Sequence, residues 1–160
     1  MAKVKPVAAL AAALLIATPF IGKWEGKRND PYKDIAGITT VCYGETRVPM
    51  RKYSDAECTE MLDKAVSGFA ESVLKLTPTL ADKPHALAAV TSLAYNIGIT
   101  NYSKSSARTR FLNGNMDGGC AGIKLWDKAR VNGKLQTVQG LVNRRADEYK
   151  LCMKYKEDIK

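Results

Sequence analysis

Charged side chains are absent from Pro6 to Gly22, a run preceded by Lys3 and Lys5. The pattern predicts one apolar helix. Its last turns, Phe20–Gly26, are stopped by Gly26 and the turn formers Asn29, Asp30 and Pro31. From Ile35 to Tyr43, β-branched and aromatic residues around Gly37 predict two short strands and a tight bend. Ser54-x-x-Glu57 is a capping box opening a helix of about six turns, with Met61, Leu62, Ala65, Phe69, Val73 and Leu76 at helical spacing. Thr77-Pro78 ends it. A further helix follows, with Asp82 as N-cap, Pro84 in its first turn and Leu87, Val90, Leu93 and Ala94 on its buried face. His85, at its start, reads as a solvated or capping residue. Tyr95-Asn96-Ile97-Gly98 closes that helix on a glycine C-cap, and Ser105 and Ser106 start the next. Asp117-Gly118-Gly119 predicts a break, Cys120–Arg130 a helix containing Trp126, and Asn132-Gly133 a turn. Gln139–Cys152 reads as the last helix, and the polar tail YKEDIK as frayed.

A chain of 160 residues with net charge +9 is one domain, or one domain of two lobes, and calls for an anionic partner. Nucleic acid fits poorly. The 25 basic residues are scattered and form no run of five or six, and no zinc-finger or RNA-binding signature is present. The four cysteines, Cys42, Cys58, Cys120 and Cys152, contain no C-x-x-C pair, and His85 is the lone histidine, so a zinc site is not expected. An even count behind an export-like N-terminus predicts two disulfides in an oxidising compartment. Three connectivities are possible. Cys42–Cys58 with Cys120–Cys152 is favoured, because it ties the hairpin to the next helix and closes the C-terminal helical region.

Seventeen helical residues span roughly 25 Å, short of the ~30 Å hydrocarbon core. Six alanines, Thr18, Pro19 and Gly22 weaken the segment further, so it is apolar enough for export but marginally held in lipid. A cleavable signal peptide is the ordinary reading of such a segment. A cut after Ala17 or Ala13, however, places Leu15 at −3 or splits the apolar run. Lys3 and Lys5 before the segment are balanced by Lys23, Lys27, Arg28 and Lys33 after it, so charge does not orient it.

Glu25, Asp34 and Thr40 stand in the spacing Glu-x8-Asp-x5-Thr, with a carboxylate at a helix end and a second on a hairpin facing it. W-E-G precedes the triad, Y-K-D-I-A-G lies within it and T-V-C-Y-G-E-T follows. Together with SLAYNIGITNYSKSSARTRFLNGN and QGLVNRRADEYKLC, whose G-L-x-x-R-R-x-x-E segment is family-like, this text resembles the phage-type lysozymes, endolysins that cut bacterial peptidoglycan. The resemblance covers most of residues 20–152. It implies an α+β, predominantly helical, two-lobed fold, with a small hairpin lobe and a helical lobe joined by a long helix. It implies hydrolysis of the β-1,4 bond between N-acetylmuramic acid and N-acetylglucosamine during host lysis. Glu25 would be the general acid, kept protonated by an apolar site or a neighbouring charge. Asp34 and Thr40 would hold a water on the opposite sugar face, giving inversion across carboxyl groups roughly 6.5–9.5 Å apart. No metal or cofactor is called for. Asn96, Ser105 and Ser106 are weaker candidates for substrate contact, as are Arg144 and Arg145. At most one of these arginines can face the cleft, to pair there with Glu25 or with the substrate, the other being a surface or lobe-bridging charge.

In related endolysins an uncleaved signal-arrest-release segment tethers the enzyme to the inner membrane, then leaves the bilayer and joins the fold. Residues 1–22 resemble such a segment, with residues 23–160 as the catalytic domain. Tethered at the inner membrane the enzyme would be inactive; released into the periplasm it would be an active monomer. Cleavage or a permanent anchor are the other readings. No cysteine occurs in residues 1–22, so a thiol switch in the anchor is not available. One position departs from the pattern: relatives often carry His after the Tyr-Gly of the second strand, and this chain has Glu45. The rival activities are a lytic transglycosylase with a lone glutamate, and a non-catalytic, membrane-tethered wall-binding or inhibitor module.

Overall fold

The apolar run forms α1 (Pro6–Glu25), described in a computed structural model that covers residues 6–34 and 36–158. Its inner face is a stripe of small residues. Ala9, Ala13, Ala17 and Ile21 recur every fourth position and are fully buried. They bring α1 close to α3 (Pro84–Ile97). The rest of the helix is apolar but only partly covered: Leu10, Leu14, Ile16 and Phe20 are half-buried against the core, Leu15 is 79% exposed, and only 22% of the window Ala8–Glu25 is fully buried. A core helix would be mostly buried, so burial does not account for this composition. It is also the one described helix long and apolar enough to cross a membrane.

Gly26 ends α1 by donating its N–H to the Gly22 carbonyl at φ +70°, a backbone angle that favours glycine. The next residues correct the sequence reading. Arg28–Lys33 is a strand, β1, paired antiparallel with β2 (Thr39–Cys42) through Tyr32↔Thr40 and Lys33↔Thr39. Asp30 and Pro31 lie inside it, where the register shifts between Arg28 and Tyr32. A ribbon of two strands has only edges, so a proline there costs no ladder bond. The bend around Gly37 falls where expected, at residues 34–38, and Ile35 lies outside the described residues.

α2 (Asp55–Leu76) opens with the full capping box: Ser54 Oγ accepts from the Glu57 N–H, and Glu57 accepts from the Ser54 N–H. That backbone N–H, together with Arg51, holds the Glu57 carboxyl down at about 2. Thr77 closes the helix as its C-cap. The face of α2 turned into the core is Cys58, Leu62, Val66, Ala70 and Val73; Met61, Ala65 and Phe69 are half-buried beside it. α3 is buried all round from Ala86 to Ala94 and packs against α1, α2 and α7 (Gln139–Met153). Its N-cap is Lys83, not Asp82. The cap contact comes instead from the chain's end. Asp158, on α8 (Tyr155–Asp158), accepts from the His85 backbone N–H at 3.0 Å and meets its Nδ1 at 2.5 Å. His85 is therefore part-buried and paired rather than solvated. The tail is helical through Asp158, and residues 159–160 lie outside the described residues.

Two short helices follow, α4 (Ile99–Ser103) and α5 (Ser106–Leu112), the latter N-capped by Ser105 through the Arg108 N–H. The expected break at Asp117-Gly118-Gly119 is instead the middle of α6 (Met116–Ile123). These glycines serve packing. A Cβ on Gly119 would stand 2.3 Å from the Phe111 ring, and one on Gly122 3.0 Å from Ala107 Cα, so their absence lets α5 and α6 touch. Lys124 caps α6, and the expected helix to Arg130 is replaced by a hairpin, β3 (Lys128–Val131) and β4 (Lys134–Thr137), turning at Asn132-Gly133. Trp126 is packed, half-buried, against the core.

The structure pairs Cys42 with Cys58, tying β2 to α2, and Cys120 with Cys152, tying α6 to α7. The closed loops of 16 and 32 residues correspond to about 3–4 kcal/mol each in chain entropy. Reduction under native conditions is expected to lower the thermal midpoint by roughly 10 °C or more, as read by calorimetry with and without reductant.

Candidate functional site

Glu25 is the last residue of α1, so its position follows from how that helix docks. α7 supplies the dock. Asp147 Oδ2 accepts from Lys23 Nζ at 2.7 Å and from Trp24 Nε1 at 2.9 Å, and Arg144 Nη1 donates to Glu25 Oε2. Arg144 also approaches Glu148 Oε2 at 3.3 Å and the Ser92 carbonyl at 3.4 Å. Arg145 Nε stands 2.6 Å from Glu148 Oε1, close enough for an ion pair but outside hydrogen-bond geometry. Glu25, Arg144, Glu148 and Arg145 thus form a chain of alternating charges running from the helix end into the core.

Arg144 is the arginine that meets the acid. Arg145 is only 1% exposed and donates to Asn96 Oδ1 at 3.0 Å and the Trp126 carbonyl at 3.2 Å. It is a core charge, not a surface or lobe-bridging one. Burial pushes Glu148 up and Arg145 down, each opposing its own ionisation, and mutual attraction works against both shifts. Sequence reasoning missed Glu148, although its i+3 and i+4 spacing from the two arginines was visible in R-R-x-x-E.

The other oxygen of Glu25 looks toward the hairpin lobe. Gly44, at φ +80°, would carry a Cβ 3.3 Å from Glu25 Oε1. Glycine here permits both the backbone turn and the room for the carboxyl. Tyr95 Oη donates to the Tyr43 carbonyl at 2.8 Å, and its ring packs 5.2 Å from Phe69. Burial, and then the charges of Glu25 and Glu45, push the Tyr95 phenol well above its ordinary range. Neither Gly44 nor Tyr95 stood out in the sequence, where each reads as ordinary turn or core text.

Asp34 and Thr40 meet at one residue. Asp34 Oδ1 accepts from the Ile38 N–H at 2.9 Å, and Thr40 Oγ1 donates to the Ile38 carbonyl at 2.9 Å. Asp34 is exposed and Thr40 buried. Glu45 Oε1 accepts from the Thr46 and Arg47 N–H groups and from Arg47 Nε at 3.1 Å. Burial alone would raise the Glu45 carboxyl, but the hydrogen bonds from Arg47 outweigh it and hold it low. At this position, expected from the resemblance to hold histidine, the chain's glutamate makes a local pair with Arg47. A cleft of about 560 Å³ lies between this loop and α2, lined by Glu45, Arg47, Met61, Lys64, Phe69 and Ile99 among others. None of Glu25, Asp34 and Thr40 lines this cleft; Gly44, beside Glu25, is the chain neighbour of Glu45 on its wall. Of the weaker candidates, Ser105 is buried with its hydroxyl used in capping, Ser106 is exposed at the start of α5, and Asn96 holds Arg145.

A helix-end carboxylate held against a small hairpin lobe, with a long helix beside it, fits a lysozyme-like architecture. The sequence model of the Phage lysozyme family matches residues 22–148, and this chain belongs to that family. It is 37% identical over 152 residues to the SAR-endolysin of Pseudomonas phage phiKMV, covering 91% of this chain and 89% of that protein. Among solved structures it resembles the endolysin from Escherichia coli O157:H7 phage FAHEc1, with a TM-score of 0.79 and 32% identity over 86% of this chain and 90% of that one. The active form of P1 phage endolysin Lyz shares the fold, with a TM-score of 0.74 and 23% identity over 96% of each chain.

Proposed function

We propose that this protein is an exported muramidase of phage-driven lysis, cutting the β-1,4 bond between N-acetylmuramic acid and N-acetylglucosamine with inversion. The observation that carries this reading is the seating of Glu25 at the end of α1 between Arg144 and Gly44. Glu25 gives its proton to the leaving glycosidic oxygen while Arg144 fixes the carboxyl's orientation. Asp34, held by the Ile38 N–H, orients and deprotonates a water on the far sugar face, and Thr40 sets the ribbon on which Asp34 stands. The product would be a reducing sugar of inverted anomeric configuration. Proton NMR of the first turnovers on a soluble glycan oligomer tests this. Retained configuration would sink the inverting assignment, and a 1,6-anhydro end would favour the transglycosylase.

Residues 1–22 act as the export and tethering segment in this reading, and α1 runs straight through their boundary with the catalytic part. In the bilayer, α1 cannot make the Lys23, Trp24 and Glu25 contacts to α7, so the tethered enzyme lacks a seated acid. Release lets the alanine stripe dock on α3 in the periplasm. Ala13→Leu should therefore favour lipid and obstruct docking, since Ala13 is 1% exposed against α3 and overpacking costs about 1–3 kcal/mol. The expected result is more protein in the membrane fraction and delayed lysis after induction.

A further inference from the structure

We infer that the hairpin β3–β4 is a docking surface for an anionic lipid bilayer, separate from both α1 and the glycan cleft. The hairpin has little support from its own fold, because its strands pair with each other and neither packs broadly on a helix. A two-stranded ribbon is marginal alone in water. Yet this one leaves large apolar side chains uncovered: Leu135 is 63% exposed and Val131 39%, with Leu125 at 60% just before it.

Register decides which side chains share a face. Arg130 pairs with Leu135, and Val131 with Lys134, so each face of the outer ribbon presents one cation beside one large apolar residue. Lys128 is paired with Asp127 at 3.0 Å, so Arg130 and Lys134 are the ribbon's unbalanced cations, and no acidic residue occurs from Lys128 to Ala146. A protein partner would not need a cation beside every apolar side chain. A bilayer entered tip-first at Asn132-Gly133 does: the apolar groups of both faces enter the acyl boundary while Lys and Arg stems reach back to phosphate. The excess positive charge matches anionic headgroups. Such contact would hold the enzyme beside the membrane with the cleft still free.

The test is co-sedimentation of the full chain with vesicles of phosphatidylcholine alone and with phosphatidylglycerol added. α1 contributes to both, so the ratio of the two partition coefficients isolates the charged contact. Each cation near an anionic surface multiplies partitioning about five-fold, so Arg130→Gln with Lys134→Gln should lower the ratio roughly 25-fold. The charge-conserving pair Arg130→Lys with Lys134→Arg should keep it, and Val131→Ser with Leu135→Ser should lower binding to both vesicles. Lytic activity on isolated peptidoglycan and the thermal melt should stay unchanged throughout. The inference fails if the Gln pair keeps the ratio, or if removing two exposed lysines elsewhere, Lys52→Gln with Lys104→Gln, lowers it equally. It also fails if the Gln pair leaves vesicle binding intact and loses binding to purified peptidoglycan, which would make the hairpin a wall contact.

Discussion

Glu25→Gln is expected to reduce lysis of permeabilised cells by at least ~100-fold, the low end of what a positioned proton donor contributes. The glutamine amide oxygen can still accept from Arg144, and Gly44 leaves room for a side chain of the same size. The fold should therefore survive. Glu148 remains to balance part of the arginine charge, so the stability loss should stay within about 1–2 kcal/mol. Turbidity decay reads the first quantity and denaturant unfolding the second. Retained lysis with an intact fold would remove Glu25 from the chemistry. Lost lysis with a collapsed fold would show only that the charge chain had been broken.

Glu148→Ala should be strongly destabilising while leaving every proposed catalytic residue in place. It leaves Arg144 and Arg145 buried without the carboxylate they share. Stripping one partner from a buried ion network costs about 3–5 kcal/mol, against a typical total of about 5–15 kcal/mol. For a chain of this size that is a fall of roughly 10 °C in melting temperature. Glu148→Gln, which keeps the volume and an acceptor for Ser92, should cost less. Because Arg144 also orients Glu25, the Ala variant should lose activity below its melting point as well. Equal melting temperatures for Ala and wild type would show the network to be dispensable.

Elements defined by local chemistry were visible in the sequence. The capping box at Ser54 and Glu57, the Asn132-Gly133 turn, the glycine cap at Gly98 and the acid at a helix end each depend on a few neighbouring residues. What could not be read was set by contacts distant in the chain. Gly118 and Gly119 signal a break locally, yet they lie inside α6, where Asn115 and the Phe111 ring respectively occupy the space their side chains would need. Asp30-Pro31 signals a turn, but a ribbon with two free edges tolerates it. Asp82 looked like the N-cap of α3 until Asp158, from the opposite end of the chain, took that contact. Residues 128–137 lack the alternation that marks a half-buried strand because neither face is buried. At the site, Glu25 and its arginine were legible as a possible pair, whereas the role of Gly44 emerges only when hairpin and helix are side by side.

Both cross-links lie outside α1, one between β2 and α2, the other between α6 and α7. The first helix is joined to everything else only through Gly26 and through reversible contacts. If it arrives late from the bilayer, the receptor it meets is already covalently framed, and its arrival is a first-order event within a single molecule. The fraction of copies docked at a given time would then not depend on how many have accumulated, and the lifetime of the docked state would be set by the grip of one stripe of alanines.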